Sequence, residues 1–105
     1  MRISTREAAA YAARHTPFQS HGSLYGAREP VGYTVYSYGP HWPLYVYDAS
    51  CEAWFGNKEK RSVTTSRHAS AAMPRGVNIT WLSLDEIQTV NRAGFAALAA
   101  RRVSK

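Results

Sequence analysis

Cysteine is almost missing from this chain of 105 residues. Its one cysteine, Cys51, has no partner for an internal disulfide. Residues 1–4 do not begin the charged and apolar regions of a secretory signal. No apolar run approaches the roughly 18 residues that a membrane-spanning helix needs. These absences predict a cytoplasmic protein with no membrane span, although a helix lying on a membrane surface is compatible with them.

The sequence also lacks the spacings of metal and catalytic motifs. It has no CxxC motif, no two histidines four residues apart and no glycine-rich phosphate loop before a helix. Its carboxylates are too scattered to suggest an acid–base pair. We therefore expect no metal, no cofactor and no enzymatic activity. A small enzyme centred on a tyrosine, Ser66 or His68 is a minor alternative, since a hydroxyl beside a histidine is the minimum for nucleophilic catalysis.

Acidic residues are few, and their distribution is uneven. The net charge is +6, and apolar residues make up 45% of the chain. Residues 1–52 hold four basic and four acidic side chains, whereas residues 53–105 hold nine basic and three acidic ones. The apolar content and length predict one domain, residues 1–105, with a compact core. The excess charge of the second half favours an acidic partner, either nucleic acid or a protein surface, over a merely soluble basic face.

Two segments are predicted to be helices because each begins with a serine three residues before a glutamate. This capping-box spacing occurs at Ser4 and Glu7 and again at Ser83 and Glu86. The first helix is expected from about residue 5 to 15, before Pro17. The second is expected from about 84 to 102, where apolar residues recur every three or four positions.

Between these helices the pattern is typical of strands. Residues 32–38 and 42–47 are rich in aromatic and β-branched side chains and predict a hairpin. Turns then lead to expected strands at 51–55 and 61–65, and a last strand is expected at 77–82. Residues 16–31 and 66–76 are expected to be loops. The predicted fold is α+β, an antiparallel meander of four to five strands flanked by an N-terminal and a C-terminal α-helix.

Aromatic side chains in the predicted hairpin alternate in a way that divides them between two faces. Tyr33 and Val35 would be buried with Trp42, Leu44 and Val46. The opposite face would then display Tyr36, Tyr38, Tyr45 and Tyr47. An exposed face of tyrosines is typical of protein interfaces, and it is also a possible stacking platform for single-stranded nucleic acid.

Residues 58–68 combine basic side chains with hydroxyls, the groups that contact phosphate oxygens. The basic members are Lys58, Lys60, Arg61 and Arg67, and His68 follows. Arg75 continues the series, and Arg101 and Arg102 lie at the end of the predicted C-terminal helix. The alternative interpretation is an edge strand protected by its charges. At the C terminus, the alternative is stabilisation of the helix dipole.

Two motifs resemble a family of small, uncharacterised proteins of bacteriophages and other mobile elements. They are Val35-Tyr36-Ser37-Tyr38-Gly39-Pro40-His41-Trp42-Pro43-Leu44 and Ser62-Val63-Thr64-Thr65-Ser66-Arg67-His68. The resemblance covers roughly residues 5–70. Tyr45 departs from it, since a small residue is common there, and residues 77–105 lie outside it. The resemblance implies an origin in a phage or mobile element and a place in the cytoplasm of a bacterial host, but no activity.

These observations favour a non-catalytic interaction protein that binds a host protein or ribonucleoprotein complex. By analogy with other small phage proteins, its most concrete form is a host-defence inhibitor of the anti-CRISPR type. The alternative is a basic module that binds nucleic acid directly. The predicted binding residues are Tyr36, Tyr38, Tyr45, Tyr47, Lys58, Lys60, Arg61, Arg67, His68, Arg75, Arg101 and Arg102.

Overall fold

The structure, a computed structural model, describes residues 2–20, 23–59, 63–74 and 76–103. Seven strands are described: β1 (Arg2–Ile3), β2 (Phe18–Ser20), β3 (Leu24–Glu29), β4 (Gly32–Ser37), β5 (Pro43–Asp48), β6 (Ala53–Asn57) and β7 (Ile79–Leu82). The α-helices are α1 (Ala8–Ala13), which follows a 3-10 turn at Thr5–Glu7, α2 (Val63–Ala72), α3 (Leu84–Ala93) and α4 (Phe95–Val103).

The strands form one mixed sheet in which each strand lies beside its neighbours in sequence, from β1 at one edge to β7 at the other. Strands β2 to β6 form an antiparallel meander, whereas the edge strands β1 and β7 run parallel to β2 and β6. The parallel edges arise because helices intervene in the chain between the paired strands. The α+β class is thus confirmed, and the sheet extends the predicted meander at both ends.

Both helix starts form where the capping boxes predict them. The Ser4 amide donates to the Glu7 carboxylate at 3.1 Å, and the Ser83 amide donates to Glu86 at 3.0 Å. The Glu86 amide in turn donates to the Ser83 hydroxyl. These bonds satisfy amide groups that the first turn of a helix leaves unpaired.

The sheet is covered by helices on both faces. Tyr45 and Val46 are adjacent in β5 and point to opposite faces. Tyr45 belongs to a core cluster that includes Ala8 of α1 and Ala72 of α2. Val46 belongs to a second cluster that includes Ile87 of α3 and Leu98 of α4. The fold therefore has three layers, with α1 and α2 on one side of the sheet and α3 and α4 on the other.

Two segments differ from the sequence-based expectations. Residues 16–31, expected to be a loop, contain β2 and β3. The expected strand at 61–65 is wrong where the structure describes it, because Val63 begins helix α2, which runs through most of the expected loop at 66–76. The β-branched residues at 63–65 favoured a strand, but Ala69 and Ala72 pack as a helix against the sheet, and tertiary packing outweighs intrinsic propensity.

The predicted C-terminal helix is divided at Gly94. This residue has φ of 87°, in a region that favours glycine, and it ends α3. Asp48 then caps the next helix, because its Oδ2 accepts a hydrogen bond of 2.7 Å from the Phe95 amide. A buried carboxylate from β5 thereby fixes the start of α4 against the sheet.

Candidate binding surface at the sheet edge

Large exposed apolar side chains are few, and two of them, Met73 and Trp81, line the same groove. Among the described residues, four such side chains are exposed, and three of them lie within nine positions of the chain. Trp81 is 45% exposed, Met73 is 42% exposed and Val77 is 38% exposed. Single exposed apolar residues are ordinary, but a group at one place marks a binding surface.

Met73 and Trp81 line a shared groove of about 330 Å³ between α2 and the end of the sheet. Ala69 and Tyr45 belong to its lining, and Ser66, Ser70, Asn57, Lys58 and Glu59 supply polar groups. We call this the edge groove. Its floor is apolar and its rim carries hydroxyls and charges, a composition that suits a macromolecular contact.

Trp81 is held over the sheet by the absence of a side chain at Gly56. A Cβ built at Gly56 would lie 2.6 Å from the Trp81 ring and 2.8 Å from Ile79 Cγ2. The ring also makes an edge-to-face contact with Tyr45, with centroids 6.1 Å apart. One side of Trp81 is therefore fixed by packing while the other remains exposed.

The edge groove is lined by one basic and one acidic side chain, Lys58 and Glu59. Lys58 is exposed at the end of β6, and Arg67 is exposed on α2 beside the groove-lining Ser66. Glu59 directs its Oε2 to the Leu84 amide at 2.7 Å, so its carboxylate is engaged at the start of α3. Lys58 is therefore the cationic group that the groove lining offers to a partner, beside one carboxylate that is hydrogen-bonded.

The tyrosine face expected from the sequence is wrong for two of its four members. Tyr36 is 3% exposed and Tyr45 is 1% exposed, whereas Tyr47 is half-buried and Tyr38 is exposed. Tyr33 lies directly opposite Tyr47, and Val35 lies opposite Tyr45, so these residues share one face. The predicted division of the side chains into a buried and an exposed face failed for two reasons. Both faces of the sheet carry helices, and the observed hairpin register places Tyr33 and Val35 on the same face as Tyr45 and Tyr47 instead of Leu44 and Val46.

Burial changes the chemistry of these phenols. Desolvation raises the pKa of Tyr45 to about 12, and its hydroxyl donates to the Ala69 carbonyl of α2. Tyr36 donates to Glu29 and accepts from the Asn91 amide at 2.9 Å. Burial is the larger cause, and the hydrogen bond to the Glu29 carboxylate the second, of the rise in the pKa of Tyr36 to about 12. Both hydroxyls stay protonated and tie helices to the sheet.

The predicted basic residues are not brought together as one patch. Lys58 lines the edge groove, whereas Arg67 is exposed on α2 and lies outside the groove lining. Arg101 binds Asp85 at 2.9 Å and donates to Thr89 at 2.9 Å, which fastens α4 to α3. Lys60, Arg61 and Arg75, as well as the side chain of Arg102, lie outside the described residues.

His68 is buried and performs a packing role. Its Nδ1 lies 2.8 Å from the hydroxyl of Ser37, which is fully buried, and burial lowers the pKa of the imidazole. The Ser37 hydroxyl and the His68 imidazole therefore pair inside the fold. Tyr38 covers the pair from outside, its ring centroid 5.8 Å from that of His68.

Two further grooves are distinct from the edge groove, and one of them also reaches β7 at Thr80. One, of about 400 Å³, is bordered by Tyr36, His41, Gln88, Asn91 and Arg92. Its buried polar groups are already paired, because Asn91 also accepts from Thr34. A bound molecule is therefore not needed to satisfy them.

The other groove, of about 490 Å³, is bordered by His15, Tyr47 and Trp54. His15 has φ of 53° and stacks on Tyr47 with centroids 4.0 Å apart. Burial lowers the pKa of His15, so the neutral ring is favoured. The stacked imidazole fills the face of Tyr47 that a ligand would otherwise occupy.

Sequence reasoning missed Met73, Val77 and Trp81 as surface residues. Trp81 was placed in the last strand and Met73 in a loop, with no reason to join them. The available signal was Gly56, since glycine inside a strand often marks the close approach of another group.

Comparisons with known protein families, curated proteins and solved structures found no match for this chain. In the described part of the chain, no helix has the length and apolar character to cross a membrane, and no group of three or more histidine, cysteine or acidic residues is placed to hold a metal ion.

Proposed function

We propose that this is a non-catalytic interaction protein that binds a macromolecular partner through the edge groove. The observation that carries the proposal is the joint exposure of Met73 and Trp81 in one groove beside Lys58. Partly buried aromatic side chains with a rigid floor are typical centres of binding energy in interfaces. A partner that covers Trp81 and Met73 removes their apolar surface from water.

The chemistry of the reactive side chains supports a role without catalysis. The Ser37 hydroxyl and the His68 imidazole are used inside the fold. Desolvation is the largest cause, and the nearby Asp48 carboxylate the second, of a raised pKa of Cys51. The side chain therefore stays a thiol at neutral pH, which is less nucleophilic than a thiolate. Of these three groups, none is prepared for nucleophilic attack.

In its most specific form, the proposal is that the protein comes from a phage or mobile element and acts in the cytoplasm of a bacterial host. There it binds a host protein or ribonucleoprotein complex as a defence inhibitor of the anti-CRISPR type. This form is motivated by the resemblance of its two motifs to small phage proteins, and the edge groove replaces the tyrosine face as the contact surface.

Affinity capture from host lysate tests the proposal when wild type is compared with Trp81→Ser. The matched control is Tyr38→Ser, which removes an equally exposed ring that does not line the edge groove. We expect Trp81→Ser to lose the partner and Tyr38→Ser to keep it, in lysate with and without nuclease. Retention of the partner by Trp81→Ser, folded as judged by circular dichroism, contradicts the proposal.

Direct binding of nucleic acid is the second candidate. It is favoured by the presence of Lys58, the hydroxyls of Ser66 and Ser70, and the Trp81 ring in the same groove. Cationic and hydroxyl groups contact phosphates, and an exposed ring stacks on a base. A labelled single-stranded oligonucleotide at low salt tests it. Binding that weakens steeply with added salt supports this function, and absence of binding removes it.

A further inference from the structure

Strand β7 is the last strand of the sheet, and its described pairing is with β6 alone. Its two central residues are accessible, because Thr80 and Trp81 are both exposed. An edge strand with an accessible backbone is a template for another extended segment. The inference developed from this edge rests on the proposed function, since it specifies how the partner binds.

The direction of the backbone groups follows from one hydrogen bond. The Lys58 amide donates to the Leu82 carbonyl at 2.9 Å, so the polar groups of Leu82 face β6. Because backbone groups alternate sides along a strand, those of Thr80 also face β6, and those of Ile79 and Trp81 face away from the sheet. No hydrogen bond within the described residues uses these outward groups.

The edge groove lies beside this row of outward groups. An added strand would run about 4.8 Å from β7. A side chain of that strand on the same face as Trp81 would enter the space between the Trp81 ring and Met73. An aliphatic side chain fits this contact, because the exposed surfaces on both sides are apolar.

Lys58 and the net charge of the chain favour acidic side chains in the added segment. Lys58 lines the groove at the end of β6, and the neighbouring Glu59 directs its Oε2 to the Leu84 amide. An acidic residue in the partner segment would meet Lys58 with the opposite charge. The chain as a whole carries +6, which attracts an acidic partner at longer range.

A second copy of the chain suits this edge poorly. Strand β7 has four residues, and a stable dimer buries about 800 Å² on each partner. Two copies would also bring two Lys58 side chains and two net charges of +6 together. A short segment of another molecule avoids both costs.

We propose that β7 binds an extended acidic segment of the partner protein as an additional strand, with an aliphatic side chain of that segment placed between Trp81 and Met73. Main-chain hydrogen bonds to Ile79 and Trp81 hold the segment, and Lys58 pairs with its carboxylate.

Amide hydrogen exchange in the full chain, followed by nuclear magnetic resonance, tests strand addition directly. The probe is a capped heptapeptide in which valine and leucine alternate with glutamate. Its first control carries lysine in place of glutamate, and its second carries N-methyl groups on the amides along one edge. We expect the acidic peptide to slow exchange of the Ile79 and Trp81 amides by about ten-fold or more, with a smaller effect at Thr80 and Leu82, which already face β6.

The controls separate main-chain pairing from charge. The lysine peptide is expected to bind at least about ten-fold more weakly. Lys58→Glu, an exposed replacement that leaves the core intact, is expected to reverse this preference. The N-methylated peptide is expected to lose binding. The proposal is overturned if the acidic peptide leaves Ile79 and Trp81 unprotected, if the N-methylated peptide binds equally well, or if sedimentation shows a dimer formed through this edge.

Amide hydrogen exchange of this protein, measured with the captured partner bound, distinguishes the two proposals. If Trp81→Ser abolishes capture but the partner leaves the Ile79 and Trp81 amides unprotected, the edge groove is the interface and strand addition is wrong. If Trp81→Ser retains the partner while the acidic peptide still protects both amides, the edge accepts a strand and the proposed function through this groove is wrong.

Discussion

The hydroxyl of Ser37 lies 2.8 Å from Nδ1 of His68. Ser37 ends β4 and His68 lies in α2, so this hydrogen bond joins the two sequence motifs that resemble small phage proteins. Tyr45 strengthens the same junction by donating to the Ala69 carbonyl one residue further along α2. The motifs therefore contain residues that fix α2 on the sheet and, through α2, form one wall of the edge groove.

Ser37→Ala is expected to destabilise the protein by about 1–3 kcal/mol, because it leaves the buried His68 Nδ1 without its partner. Chemical denaturation measures the change. Ser70→Ala is the control, because Ser70 is exposed on α2, the helix that contains His68. It should change stability by less than about 0.5 kcal/mol. A double-mutant cycle of Ser37→Ala with His68→Ala should show coupling between the two residues, and additive effects would contradict the bond.

Stability is expected to fall as the pH is lowered through the range below 6.5, the ordinary pKa of histidine. Burial lowers the pKa of His68 and of His15 in the folded protein. In this range the unfolded chain binds protons that the folded chain does not, so the stabilising effect is complete above about pH 6.5 and declines below it. Denaturation at several pH values measures the slope.

The variant carrying His15→Gln and His68→Gln should show a smaller pH dependence than wild type over that range. The difference in pH dependence between the two proteins gives the contribution of the two histidines, because the carboxylates are the same in both. Equal slopes, or a wild-type protein that becomes more stable as the pH falls from about 7 to about 5, would show that these imidazoles are not buried.

Asp48→Ala is expected to cost about 0.5–2 kcal/mol, the range for loss of a helix N-cap. Burial raises the pKa of Asp48, but hydrogen bonds from the Phe95 amide and from the amide and hydroxyl of Ser50 lower it more, and the net pKa is below the usual 3.8. This carboxylate thus stabilises the fold above that value, and the effect is lost as the pH falls through the folded pKa. Hydrogen exchange in the first turn of α4 should increase selectively; uniform loosening would contradict the capping role.

Gly56→Ala is expected to displace the Trp81 ring, because the new Cβ would lie 2.6 Å from it. We expect a loss of about 1–3 kcal/mol and weaker capture of the partner. The indole resonance of Trp81 measures the displacement. In a Trp81→Ala background the same glycine replacement should cost less, since the main collision is gone, and an unchanged cost would show that the ring does not depend on Gly56.

Local sequence signals predicted the helix starts and the central hairpin because the interactions that form them lie within a few residues. The Ser83 and Glu86 bonds span three positions. The break at Gly94 was missed, because it is stabilised by the hydrogen bond between Asp48 and the Phe95 amide, which are 47 positions apart in the chain. Apolar periodicity continues through Gly94 and gives no sign of that contact.

The candidate site was missed for the same reason. Lys58 was singled out for its charge, but the edge groove also needs Met73 and Trp81, which meet because β7 pairs in parallel with β6 after α2 crosses the sheet. Spacing along the chain carries no information about such a crossover.

The sequence by itself determined the α+β class, the two capped helix starts and the strands of the hairpin, since hydrogen-bond spacing and residue alternation act over short distances. Only the tertiary structure decided that Tyr36 and Tyr45 are buried and that Trp81 is exposed. Alternation divides a strand into two faces, but whether a face meets water depends on the helices packed against it, and here helices cover both faces and leave the β7 edge accessible.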